Sequence, residues 1–236
     1  MERAVPGHRW PTVVMALGAI SGGCLALVAL RVARTREMDF AFLSWNLALA
    51  WTPFVLAILL YRGYHRRAPR PMVALTGLFW LLFLPNAPYI TTDFVHLQWS
   101  AGMPFWFDAL TVSAYAVTGL LLGFASLYLV QAVAAEQFGD RAIWLLVVVV
   151  LWLSSVGIYL GRYQRLNSWD AVRHPRLLVS MVRTRVHEPL GNMTLLAVMV
   201  LFTAFLTVLY LILYVMVTQL LPRLDAERAR PHRTSR

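Results

Sequence analysis

Along this chain, long apolar runs alternate with more polar connections, several of them rich in arginine. Six runs are almost free of charged residues, at about residues 12–32, 40–61, 72–90, 108–135, 142–161 and 193–221. About 20 residues of helix cross roughly 30 Å of hydrocarbon, so each run is long enough to span a bilayer. The runs are continuously apolar rather than alternating, and backbone in lipid must satisfy its own hydrogen bonds, which predicts helices and not barrel strands. The expected fold class is therefore all-α: a polytopic transmembrane helical bundle of about six spans, forming a single domain over residues 1–236. Residues 222–236 read as a basic, disordered tail. Between Pro175 and Pro189, Leu177, Leu178, Met181 and Val182 recur at helical spacing, with Arg176, Arg183 and Arg185 among them. That pattern predicts a short amphipathic helix after span five, lying on the headgroups or packed over the bundle.

Composition supports the same class. Hydrophobic residues make up 59% and charged residues 14% of the chain, against roughly a quarter charged in soluble domains. All 21 basic residues are Arg and the net charge is +10. These charges are divided among connections and tail, which suits a lipid bilayer and anionic lipid headgroups; no basic stripe interleaved with aromatics points to nucleic acid. Cys24 stands alone and excludes an internal disulfide. Ser21-Gly22-Gly23-Cys24 faintly resembles a lipoprotein processing site, but the apolar run continues to Val32, as a retained first helix would.

The positive-inside rule then gives an orientation. With the amino terminus inside, Arg3, Arg9, Arg62, Arg66, Arg67, Arg70, Arg141 and the tail arginines 223, 228, 230, 233 and 236 share one side, 12 against nine. The connection between spans three and four carries no basic residue but holds Asp93 and Asp108, as an external loop would, whereas the Arg-rich connection after span five argues the other way. Both termini are expected in the cytoplasm.

Candidate chemistry gathers where spans three and five end. Leu84-Pro85-Asn86-Ala87-Pro88-Tyr89-Ile90-Thr91-Thr92-Asp93 places two prolines three residues apart. Prolines remove backbone donors and push the preceding residue away from helical geometry, so span three is expected to break here. Asn86 then either satisfies freed backbone groups or faces a ligand, and Tyr89 is a candidate beside it. The uncharged stretch Phe94 to Phe107 is too short to span and is expected to be interfacial or re-entrant. Asp93 and His96 share a helical face at i,i+3. A carboxylate beside an imidazole can orient it for acid–base catalysis or bind a metal, although spacing fixes no third ligand and no metal site is assigned. An interfacial hydrogen-bonded pair is the plainer alternative.

At the end of span five, Gly161-Arg162-Tyr163-Gln164-Arg165-Leu166-Asn167-Ser168-Trp169-Asp170 offers Arg162 and Arg165 either as caps on the helix carboxyl end or as forks for a phosphate, carboxylate or headgroup. Asn167, Trp169 and Asp170 complete the candidate ligand set. Spans three and five run in the same direction, so both segments emerge on one face. Asn46 lies over a turn inside span two and needs a partner across helices. Asp108 opens span four as a cap or dipole residue. Ser113, Ala116, Gly119, Gly123 and Ser126 form a small-residue ridge for close helix packing, and Trp99 and Trp106 suit an interfacial belt.

Taken together, Trp45-Asn46-Leu47, Leu84-Pro85-Asn86-Ala87-Pro88-Tyr89 with Thr92-Asp93 and His96-Leu97, and Tyr159-Leu160-Gly161-Arg162 with Asn167-Ser168-Trp169-Asp170 resemble the bacterial membrane family catalogued as domain of unknown function 1361. The resemblance implies a prokaryotic multi-pass membrane protein and brings no activity, substrate or cofactor with it. Three functional readings follow from the residues. The first is a site on one membrane face that binds an anionic ligand or lipid headgroup, with Asp93 and His96 as candidate catalytic groups. The second is a scaffold docking a protein partner. The third is a small transporter or channel, for which the spans supply no mid-membrane charge and no inverted repeat.

Overall fold

A computed structural model of the chain describes residues 10–97, 102–163 and 193–220. The expected amphipathic helix after span five and the basic tail lie outside the described residues. Six helices are long and apolar enough to cross a membrane, and among the described residues there is no strand. Helix α1 covers Trp10–Thr35 and α2 Ala41–His65; α3 covers Arg70–Phe83 and α4 Asn86–Tyr89, followed by a 3-10 segment at Ile90–His96. Helix α5 covers Phe105–Ala135, α6 Asp140–Tyr163 and α7 Met193–Val215, with a π-turn at Met216–Leu220.

The short connections have local causes. After α1 and α2 the chain turns through the left-handed region at Arg36 (φ 62°) and Arg67 (φ 55°). These are positions usually given to glycine. At the second, the Ala68 N–H reaches back to the Gly63 carbonyl at 2.9 Å and closes the last turn. Pro69 then precedes α3 and Pro104 precedes α5, where a proline's missing N–H and fixed φ cost nothing.

Helix α5 is the axle of the bundle: it packs against α1, α2, α4, the 3-10 segment and α6. Leu43, Leu47, Ala50, Phe54 and Ala57 of α2 belong to one buried cluster with Val112, Tyr115, Leu122 and Leu129 of α5. Helix α7 packs on α6 and leaves Leu201, Val208 and Ile212 on the outside, as α3 does Leu78. Such an apolar exterior is what lipid accepts and water does not. This is a multi-pass membrane protein.

Hydroxyls inside the spans are neutralised locally. Thr111, Ser113, Thr118, Ser155, Thr203 and Thr207 each donate to the carbonyl four residues earlier, at 2.7–3.0 Å.

Span three is interrupted where the prolines predict it, α3 ending at Phe83 and α4 beginning at Asn86, but the chain does not leave helical geometry. Leu84 (φ −53°, ψ −40°) and Pro85 (φ −57°, ψ −25°) keep right-handed helical dihedrals. The hydrogen-bond pattern changes instead. Ala87 N–H bonds three residues back to Leu84 at 3.1 Å, and the Asn86 side-chain amide donates to the Phe83 carbonyl at 2.9 Å. The lost donors are compensated at close range, so the chain stays coiled through His96, and Phe94 to His96 finish span three rather than forming a re-entrant segment.

Packing explains why the prolines are tolerated. A Cβ on Gly119 would lie 2.5 Å from the Ala87 carbonyl oxygen, and one on Gly123 would lie 3.1 Å from Ala87 Cβ. From the other side, a Cβ on Gly157 of α6 would lie 2.5 Å from Pro85 Cγ. The proline segment is thus clasped between bare backbone of α5 and of α6, and the small-residue ridge of α5 serves this contact.

Candidate functional site

The spans alternate in direction, so the end of α1, the start of α2, the end of span three, the start of α5 and the end of α6 meet on one face. Contacts across that face bear out the geometry. The carboxylate of Asp93, only 1% exposed, accepts from Asn46 Nδ2 at 2.9 Å and from an Arg162 guanidinium nitrogen at 3.4 Å. Helix α2 supplies the amide, the 3-10 segment the carboxylate and the last turn of α6 the guanidinium. A cation there is favoured by the helix dipole as well as by Asp93.

His96 completes the group more loosely. A 3-10 helix repeats every three residues, so positions i and i+3 eclipse. The His96 Nδ1 lies 3.8 Å from Asp93 Oδ1. That is too long for a hydrogen bond. The ring is half exposed and tilts against Phe42 at a centroid distance of 4.9 Å. Among the described residues no group of three His, Cys, Asp or Glu side chains could hold a metal ion.

A second polar pair stands beside the first. Arg31 Nε donates to Asp108 Oδ1 at 2.9 Å and its Nη2 to Oδ2 at 3.4 Å, both side chains being 1% exposed. The Phe40 ring covers the guanidinium at 4.2 Å, a cation–π contact. Asp108 occupies the first turn of α5, and its ion-pair partner comes from α1. Sequence reasoning passed over Arg31. The signal was available: Arg31 closes the first apolar run and Asp108 opens the fourth, which puts both at one depth on one face.

The remaining candidates fall as follows. Asn86 is half-buried and engages the backbone freed by the prolines. Tyr89 is half-buried and packs against the apolar core. Arg165, Asn167, Trp169 and Asp170 lie outside the described residues. Asn46, singled out only as an amide in need of a partner, proves to be a direct ligand of the Asp93 carboxylate.

Arg162 also reaches a second environment. A groove of about 190 Å³ runs between the end of span three, α6 and α7, lined by Thr92, Val95, Tyr159, Arg162, Val198 and Phe202 among others.

The family model described as a protein of unknown function, DUF1361, matches residues 45–218. The chain belongs to this family. Its DUF1361 region holds Asn46, Asp93, His96, Asp108 and Arg162, while α1, with Arg31, precedes the match. The description of the family names no activity. Comparison with curated proteins and with solved structures gives no match.

Proposed function

We propose that this protein binds an anionic group, a phosphate or carboxylate, at Arg162 on the face where span three and α6 end. The reading rests on one observation: the Arg162 guanidinium is 20% exposed, is oriented by a fully buried carboxylate, and also lines the neighbouring groove. Buried ionic groups in a membrane bundle are costly and are kept where they line a pathway or site. Asp93, fixed by Asn46, holds the arginine in place, and its single 3.4 Å contact leaves a charged fork able to turn toward a stronger acceptor. His96, half exposed beside Asp93, offers a further ring N–H donor. In this reading Asp93 sets the resting direction of Arg162 and competes with the ligand for it, and acid–base chemistry by Asp93 and His96 is the extension of the same arrangement.

The setting we propose is the cytoplasmic membrane of a bacterium with both termini in the cytoplasm. The arginine cluster at 62, 66, 67 and 70 and the absence of Arg and Lys between 94 and 107 support that orientation. The anion site then faces outward.

Purified protein in neutral-lipid nanodiscs, titrated with glycerol phosphate and followed by thermal unfolding, tests the reading. Wild type is expected to gain stability with ligand, and Arg162→Gln to lose the effect by about tenfold or more in apparent affinity, since hydrogen bonds to charged groups are worth about 1.5–3 kcal/mol. Asp93→Asn, which removes the competing carboxylate, is expected to bind the anion more tightly than wild type. Equal responses from all three proteins would remove the proposal.

A further inference from the structure

The groove beside Arg162 has a distribution of polarity that narrows the ligand class. Its wall follows α6 from Ser155 to Arg162, seven residues and about 10 Å of helix rise. The serine and threonine hydroxyls that line it are already engaged by the backbone of their own segments. The Ser155 hydroxyl donates to the Leu151 carbonyl at 3.0 Å and the Thr92 hydroxyl to the Tyr89 carbonyl at 2.7 Å. What faces the groove over most of its length is therefore hydrocarbon and ring surface from Ile158, Met199 and Phe202. Its charged group, Arg162, stands at the end that meets the membrane face.

The α7 side of the rim is exposed on the outside of the bundle, where Val198 is 39% exposed. In a chain surrounded by lipid, that side is hydrocarbon. The volume is below the roughly 300–1,000 Å³ of pockets that enclose a whole small molecule. It suits one flexible chain whose remainder stays in the bilayer.

We infer that the ligand of the Arg162 site is an anionic lipid that enters sideways from the bilayer, its charged headgroup on Arg162 and one acyl chain along the α6–α7 groove. The inference rests on the anion reading above and adds the occupant. The groove offers no gain in hydrophobic burial over lipid tails themselves. Preference among lipids must come from the headgroup contact, and the groove decides where the chain lies.

The experiment uses the full-length protein in phosphatidylcholine nanodiscs doped with phosphatidylglycerol that carries a diazirine midway along one chain. A phosphatidylcholine analogue with the same label is the control. Crosslinked peptides are mapped by mass spectrometry. Phosphatidylglycerol is expected to label the groove residues of α6 and α7 about tenfold more than the control does. Arg162→Gln combined with Asp93→Asn should abolish that preference without leaving a lone buried charge. Met199→Trp and Val198→Phe, which fill the groove, should each divert labelling away from it while the glycerol phosphate response persists. Phosphatidylglycerol labelling spread evenly around the bundle, with that response intact, would overturn the lipid inference and leave the anion site standing. Equal groove labelling by both lipids, with no glycerol phosphate response, would overturn the anion reading itself.

Discussion

Replacing Arg31 by Met leaves the Asp108 carboxylate in an apolar interior with no counter-charge, because each partner is 1% exposed and the other is its ion-pair ligand. Breaking a buried pair from one side costs about 3–5 kcal/mol, whereas replacing both members by apolar residues is often close to neutral. Arg31→Met should therefore lower the unfolding midpoint sharply in nanodiscs, and Arg31→Met with Asp108→Leu should recover most of the loss. Equal stability of the two variants would mean that the pair is not what docks α1. The same logic applies to Asn46, whose amide holds one oxygen of Asp93 at 2.9 Å. Asn46→Leu should cost about 1–3 kcal/mol by stranding that acceptor, measurable by the same unfolding assay. At this scale the sequence reveals which residues are uncomfortable in lipid. It named Asn46, Asp93, His96, Asp108 and Arg162 as such. It could not assign their partners, because a pair separated by 77 residues, such as Arg31 and Asp108, is made by helix rotation and depth rather than by spacing.

Span three is held by its neighbours more than by its own hydrogen bonds. Two prolines predict a break, and residue-level geometry favours one, yet Leu84 and Pro85 remain helical because α5 and α6 enclose them. The clasp needs bare backbone. Gly119→Ala sets a methyl 2.5 Å from a main-chain oxygen, and Gly157→Ala sets one 2.5 Å from a proline ring, neither of which can rotate aside. Each is expected to destabilise by about 1–3 kcal/mol, the usual cost of overpacking. Gly22→Ala in α1 is the matched control, since a Cβ there meets nothing within 4 Å; no loss of stability, and a gain of up to about 1 kcal/mol, is expected. If Gly119→Ala behaved like Gly22→Ala in thermal unfolding, the clasp would be refuted. The small-residue ridge was legible in the sequence as a packing surface. That its partner is the Pro-Asn-Ala-Pro segment was not, because nothing in a run of small residues says which helix approaches it.

For the whole molecule, six spans that alternate in direction make the two faces distinguishable by labelling. Met38 and Val95 are 70% and 65% exposed near the site face, Phe138 is 56% exposed at the other, and the native Cys24 is 1% exposed. With a membrane-impermeant maleimide, Met38→Cys and Val95→Cys should react from one compartment and Phe138→Cys from the opposite one. The orientation we propose makes the first compartment the outside, and reaction of Val95→Cys and Phe138→Cys from the same side would break the topology. The number of spans, the helical class and the gathering of polar segments on one face were set by the sequence itself. Apolar run length against bilayer thickness is a one-dimensional property, and the parity of crossings follows from counting. Which polar side chains meet depends on how each helix is rotated, how deep it sits and how near its neighbours come. Those quantities are fixed only when α5 packs against the others. The joining of Asn46, Asp93 and Arg162 into one group, the burial of Arg31 on Asp108, and the groove beside α7 were therefore decided by the tertiary structure.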